Sequence, residues 1–443
     1  MPRQNRSEVF EPGEIGTYHL INRCVRQAFL CGVDEVSGRS YEHRKGWVKH
    51  RLALLSSAMA VDVLGFCVMS NHIHAIVRNR PDVASQWSPA EIARRWLIIY
   101  PPGRSALKKT TSLGGTSGED RQEAAYQKAE AEIVKDSERV EVLRARLSSP
   151  SWFMKCLAEK VAREANKEEN VTGRFWEGRF KMHRLLDEWA VTACMMYVDL
   201  NPIRAGLADG IASSPDTSIF IRLSGAMRSL FERLTPEERV ERGVEEAFVQ
   251  RMPQLTQPAV TSPTLAIEAS LHEIPTSPKA VPDSLLQTPQ VPVVTREVLD
   301  EAGRQSAFET ETSWLAPLEI TTDERSLMVP VARASNLGCL EMTLSQYIEL
   351  LEWTGRHWKA TQVGCIPANA PSVLERLQLD GESWIKLVQG FRGKRDRWRR
   401  TVSRPEALQA EAQRRGAHWI QGISLSRTIF PANPVQSNSI SDQ

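Results

Sequence analysis

A chain of 443 residues, 41% of them hydrophobic, is too long for one ordinary core and predicts two or three folded units joined by linkers. Its 56 Lys and Arg against 54 Asp and Glu, a net charge of +2, exclude a globally basic nucleic-acid binder, so phosphate contacts must come from local Arg and Lys clusters. Seven scattered cysteines without a C-x-x-C pair argue against a disulfide framework or cysteine-rich zinc module, and with no apolar leader and no apolar run of about 18 residues, a soluble cytoplasmic protein is expected.

From Gly16 the stretch TYHLINRCV is rich in strand formers. A helix follows from Tyr41 to Ala60, where Trp47, Leu52, Leu54, Leu55 and Met59 roughly keep a helical period. Two strands, Val63 to Met69 and His72 to Arg78, are joined at Ser70-Asn71, a small polar pair suited to a tight turn. Arg78 to Gln86 reads as a loop. Ser88-Pro89 starts the next helix, which Pro101-Pro102 stops. Residues 103–121 are polar and Glu123 to Leu147 is dense in charge and Ala, as in a solvated helix, so 103–148 is expected to be an excursion from the core.

Ser149 to Asn166 returns to an amphipathic helix, and Arg174 to Leu186 reads as an aromatic turn leading into a basic strand. Asp187 caps a helix running to about Leu200. This order describes an α+β domain, an antiparallel sheet with covering helices, over residues 1–210. Residues 211–312 read as a charged helix, from Phe220 to Val249, and a Pro/Ser/Thr-rich linker, densest from Pro253 to Val294. Apolar periodicity in Met342 to Trp353 and Val373 to Phe391 predicts a small, mostly helical domain over 313–443. It carries a basic run, Arg392 to Arg404, in which seven Arg or Lys surround Trp398, a composition suited to phosphate contact and base stacking.

The most informative residues are His72 and His74. Side chains alternate faces along a strand, so the two imidazoles project from one face and can share a metal ion. Pro202 disfavours helical geometry at its predecessor, which predicts that the helix after Asp187 ends at Leu200 or Asn201. Tyr197 and Asn201 are then one turn apart on a common face, where a phenol and a carboxamide can point together at the histidines. Two neutral imidazoles and an amide leave a divalent ion its full charge and open positions for phosphate oxygens. Tyrosine, with a reference pKa near 10, is roughly 4 kcal/mol from ionised at neutral pH, a cost that a dication reduces.

His72-Ile73-His74 together with Tyr197-Val198-Asp199-Leu200-Asn201-Pro202-Ile203-Arg204-Ala205-Gly206 resembles the HUH-class single-tyrosine transposases, and within them the REP-associated tyrosine transposase branch. The resemblance spans about residues 13 to 210 and includes Tyr18-His19-Leu20-Ile21-Asn22-Arg23, the phrase VMSNHIHAIV and the turn Phe175-Trp176-Glu177-Gly178-Arg179-Phe180. It implies a ferredoxin-like palm, Mg²⁺ or Mn²⁺ as cofactor, and cleavage of single-stranded DNA beside hairpins through a 5′-phosphotyrosine with a free 3′-OH. Carried over by position, His72 and His74 are metal ligands and Tyr197 the nucleophile, while Asn201 stands where many relatives have Gln as third ligand. The expected partner is single-stranded DNA with palindromic hairpins, the expected location the cytoplasm in association with the nucleoid. The resemblance allows a homodimer, with the tyrosine helix acting across the interface, as well as a monomer.

Arg179, Lys181 and Arg184 line the strand before the tyrosine helix and Arg204 follows it, which makes them candidates for contact with the DNA backbone. His19 and His183, also on predicted strands, could approach the site, but core or surface roles are the expectation for each. Two rival functions share the chemistry or the fold: a relaxase or replication initiator, and a DNA-binding protein that has lost catalysis. No tyrosine pair occurs and the expected nucleophile lies after the histidine pair, which favours the transposase order.

Overall fold

The computed structural model describes residues 6–25, 30–34, 37–103, 118–241, 296–307, 313–321, 332–359, 372–391, 403–418, 420 and 422–430. Strand β1 (Gly16–Arg23) is followed by α1 (Arg44–Ala58), whose Val48, Leu52 and Leu55 are wholly buried. Each such side chain contributes about 1.5–3 kcal/mol on burial. Strands β2 (Val61–Val68) and β3 (His72–Asn79) form the expected hairpin, but the segment read as a loop contains a short helix, α2 (Pro81–Gln86). Its first residue is Pro81, whose fixed φ suits a helix start.

Next come α3 (Pro89–Ile99), capped by Ser88, and two helices, α4 (Gly118–Val134) and α5 (Ser137–Leu147). The reading of 123–147 as one solvated helix is corrected here. Asp136 caps α5 through the Arg139 amide, so the segment is two helices, and Ile133, Val140, Leu143 and Leu147 are buried against the core. Arg144 ties α5 to the loop after α2 by donating to the Trp87 carbonyl at 2.8 Å.

Helix α6 (Pro150–Glu168) leads to β4 (Lys181–Leu185) and to α7 (Glu188–Asp199), which starts on the Asp187 cap at 2.8 Å from the Ala190 amide. Pro202 does not end the helical path. A further turn, α8 (Asn201–Arg204), begins at the proline instead, and the Arg204 amide donates to the Leu200 carbonyl at 2.9 Å. Proline is tolerated there because the first amides of a helix need no partner within it.

Among the described residues the strands form one sheet in the order β2-β3-β1-β4 with every neighbouring pair antiparallel. With α1 between β1 and β2, and α6 between β3 and β4, this is the β-α-β-β-α-β arrangement of a ferredoxin-like sheet. The α+β class with a helical C-terminal part is therefore as the sequence predicts. One face, with Tyr18, Leu20, Phe66, Ile73 and Ala75, packs on α1 and α6. A register irregularity between Val63 and Gly65 turns Leu64 and Cys67 to the other face, beside Ile76 and Leu185.

On that second face lie α7, α9 (Ser218–Arg233), α10 (Arg296–Ser306), α11 (Leu344–Lys359), α12 (Ser372–Arg376) and α13 (Gly381–Gln389), while α14 (Pro405–Arg414) forms a small cluster of its own whose Glu411 reaches Arg184 of β4, and α15 (Ile423–Ile429) adds Ile429 to the second-face core. The mostly helical character expected beyond residue 313 is present. Its Tyr347, Leu350, Trp384 and Leu387 share one hydrophobic cluster with Met195 and Val198 of α7 and with Leu64 and Ile76 of the sheet. Asp199 fastens the layers, accepting from Ser218 Oγ at 2.7 Å and Tyr347 Oη at 2.6 Å. Asp62 does the same on β2, accepting from Arg78 and from the Ser335 amide and hydroxyl at 2.9 and 2.7 Å. The Pro253 to Val294 linker and all of the basic run except Ser403 and Arg404 lie outside the described residues. No helix among the described residues is long and apolar enough to cross a membrane.

Candidate active site

Strand alternation sets the site. On β3 the residues His72, His74 and Ile76 share one face, and the register pairs them with Arg23, Ile21 and His19 of β1. His19 in turn faces His183 of β4. Four histidines from three adjacent strands therefore project toward α7, and Tyr197 comes down on them from that helix. The Tyr197 ring meets His74 edge to face at 5.7 Å between centroids and His19 at 6.3 Å. His72 and His74 lie 4.8 Å apart by the same measure.

Hydrogen bonds orient both imidazoles of the expected metal pair. His72 Nδ1 lies 2.6 Å from the Asn71 carboxamide oxygen, an acceptor, so Nδ1 carries the proton and the Nε2 lone pair is left for a ligand. His74 Nδ1 is 2.9 Å from His19 Nε2. Burial lowers the pKa of His72 to about 4, helped by the charges of Arg23 and Arg204. Burial also holds His74 and His19 well below the ordinary histidine value. Neutral rings are what metal ligation requires.

Whether the donors fit a divalent cation can be asked of the buried polar atoms. His74 is wholly buried with its Nδ1 engaged, and His72 offers Nε2 from the same face. Among the described residues no cluster of three or more His, Cys, Asp and Glu could hold a metal. A cation on this pair would thus complete its shell from amide, water or phosphate oxygens, and two neutral nitrogens with room for oxygens suit that role. The residues present fit such an ion.

Asn201 and Arg204 are placed differently from the sequence expectation. Asn201 is buried one turn below Tyr197, but its Oδ1, the atom expected to ligate, accepts from the Arg204 guanidinium at 2.5 Å. Its Nδ2 is buried with no partner among the described residues. Arg204 also lies 4.9 Å from the Tyr197 ring centroid and 3.5 Å from its hydroxyl. It is a group inside the site as well as a candidate for phosphate contact. Burial raises the Tyr197 pKa to about 12, with Arg204 and Asn201 pulling it back down. A pKa of about 12 puts the phenolate roughly 7 kcal/mol uphill at neutral pH.

The other basic candidates separate by strand parity. Lys181 is on the histidine face at the open end of β4, and Arg179 is exposed in the preceding turn. Arg184 is on the opposite face, across from Tyr18, and pairs with Glu14 at 3.0 Å and Glu411 at 3.7 Å. It does not line the site. Sequence reasoning gave His19 a core or surface role and did not single out Arg23 or Phe391. Arg23 sits directly across from His72, while the Phe391 ring covers Tyr197 at 6.2 Å and His19 at 6.3 Å. Tyr197 is consequently only 2% exposed.

No protein-family model and no curated protein matches the sequence. Among solved structures the chain is similar to one described as the structure of the REP-associated tyrosine transposase bound to a REP hairpin, at 10% identity and a TM-score of 0.28, over 49% of this chain and 82% of that one. A likeness at that score carries no argument by itself, and the assignment of function rests on the geometry of the site.

Proposed function

We propose that this protein is a metal-dependent DNA strand transferase, a transposase of the single-tyrosine class, that cleaves and rejoins single-stranded DNA beside hairpins. The observation that carries the reading is the approach of the Tyr197 ring to His74, 5.7 Å between centroids, on the face that also presents His72. A Mg²⁺ or Mn²⁺ ion held by His72 and His74 would supply Lewis acidity toward the scissile phosphate.

Tyr197 is the nucleophile. A bond forms from its Oη to phosphorus as the bond from phosphorus to the 3′-oxygen breaks, and the phenol proton is balanced by protonation of the departing 3′-oxygen. The resulting 5′-phosphotyrosine is opened by another 3′-OH, which restores the phenol and joins the strands. Arg204 lies beside the Tyr197 hydroxyl, where its charge stabilises a developing phenolate. Arg23 and Lys181, on the histidine face, and the exposed Arg179 would take phosphates of the strand.

Purified protein incubated with single-stranded hairpin DNA and Mn²⁺ should give a covalent adduct resistant to denaturation, and Tyr197→Phe should give none. Equal adduct yield from both proteins would move the nucleophile elsewhere. A second reading, a hairpin-binding module without catalysis, is favoured by two features: the Asn201 oxygen engaged by Arg204 and the cover of Phe391 over Tyr197. Such a module binds hairpin DNA equally well in EDTA and in Mn²⁺ and forms no adduct in either.

A further inference from the structure

We propose that His19 is a positioning residue that sets the tautomer of His74 so that its Nε2 is presented for metal binding. The inference deepens the metal-dependent reading above and rests on it. The contact between His19 Nε2 and His74 Nδ1 at 2.9 Å joins two neutral rings, and one proton can occupy it in only two ways. If His19 donates, His74 Nδ1 is the acceptor and its proton sits on Nε2, where it blocks a metal. If His74 donates from Nδ1, Nε2 keeps its lone pair for the cation.

The companion histidine selects the second arrangement. His72, the companion on the same strand face, is held with its proton on Nδ1 by the Asn71 oxygen at 2.6 Å, so both rings present an Nε2 lone pair only if His74 matches it. The His19 and His74 rings are near-parallel, 20° between planes at 5.1 Å, and both are wholly buried, so water does not compete for the bond. In this arrangement His19 accepts at Nε2 and carries its own proton on Nδ1, which is buried with no partner among the described residues, a cost the bond to His74 has to offset. Among the described residues the His19 ring is hydrogen-bonded to His74 alone. Residues that orient a metal-binding imidazole through its second nitrogen are as much part of such a site as the ligands.

The test uses the full chain in three forms: wild type, His19→Phe, which fills the volume without an acceptor, and His19→Gln, whose amide oxygen can accept from His74. Long-range proton–nitrogen NMR of histidine-labelled, metal-free protein reads the tautomer, and EPR titration with Mn²⁺ alone reads affinity. Wild type should show His74 protonated at Nδ1. His19→Phe should lose that preference and bind Mn²⁺ about 10- to 100-fold more weakly, with His19→Gln near wild type in both. A proton on His74 Nε2 in the wild type, or wild-type affinity in His19→Phe, overturns the assignment. If wild type shows the expected tautomer but binds no Mn²⁺, the metal-dependent reading fails while the role of His19 in setting the tautomer stands.

Discussion

The Arg204 guanidinium touches both Tyr197 and Asn201, and its effect on the phenol opposes that of burial. Replacing it with Met keeps the length and removes the charge, so the Tyr197 pKa should rise further. Phenolate then becomes scarcer at every pH below that value. The rate of adduct formation by Arg204→Met should fall roughly 100-fold at neutral pH, as for loss of one donor to a developing oxyanion, and its rise with pH should shift to more alkaline values. Single-turnover rates between about pH 7 and 10 decide this, since superimposable profiles would leave Arg204 no part in the chemistry. The histidine pair was legible in the sequence because period-two alternation within one strand needs no partner. The one-turn spacing of Tyr197 and Asn201 was legible from the helical period, but the hold of Arg204 on the Asn201 oxygen was not. His19 and Arg184 were not, because their faces depend on the register between β1, β3 and β4, and the basic character of β4 drew Arg184 into a site from which parity excludes it.

At the scale of elements, the α7 helix is buried on every side, and Asp199 at its last turn is the polar joint that makes this tolerable. Its carboxylate accepts from Ser218, the Ile219 amide and Tyr347, but burial dominates and raises its pKa. A raised folded-state pKa means that the native protein binds a proton the unfolded chain releases. Asp199 therefore contributes stability below its ordinary range near 3.8 and loses it as pH rises through the higher folded value. In denaturant melts from acidic to neutral pH, Asp199→Asn should show less of this decline than wild type, and parallel curves would exclude a proton on Asp199. Two elements escaped the sequence reading for related reasons. Val140, Leu143 and Leu147 keep a helical period in α5, yet the surrounding charge hid a stripe that is buried in the core. Pro202 marked a boundary correctly but starts α8 as well as following α7.

For the molecule as a whole, the helices beyond residue 296 complete the core of the palm, and nothing in the linear order of apolar segments announced which face they would cover. Asp62 shows how the parts depend on each other. Asp62→Ala leaves the largely buried Arg78 guanidinium uncompensated and removes the acceptor for Ser335, so it should cost about 3–5 kcal/mol in a urea melt. Fluorescence and circular dichroism should still follow one transition, because sheet and C-terminal helices share one cluster. The same cover governs solubility. Strand β2, buried along its whole length, ends the sheet, and its outer edge is met by the Ala316 amide, which donates to the Val63 carbonyl at 2.9 Å, and by the Asp216 carbonyl, which accepts from the Val68 amide at 3.0 Å. Protein cut before residue 296 would keep the Asp216 contact but bare the Val63 end of that edge and the apolar face above it to other chains, so the fragment should sediment as aggregate where the full chain stays dispersed.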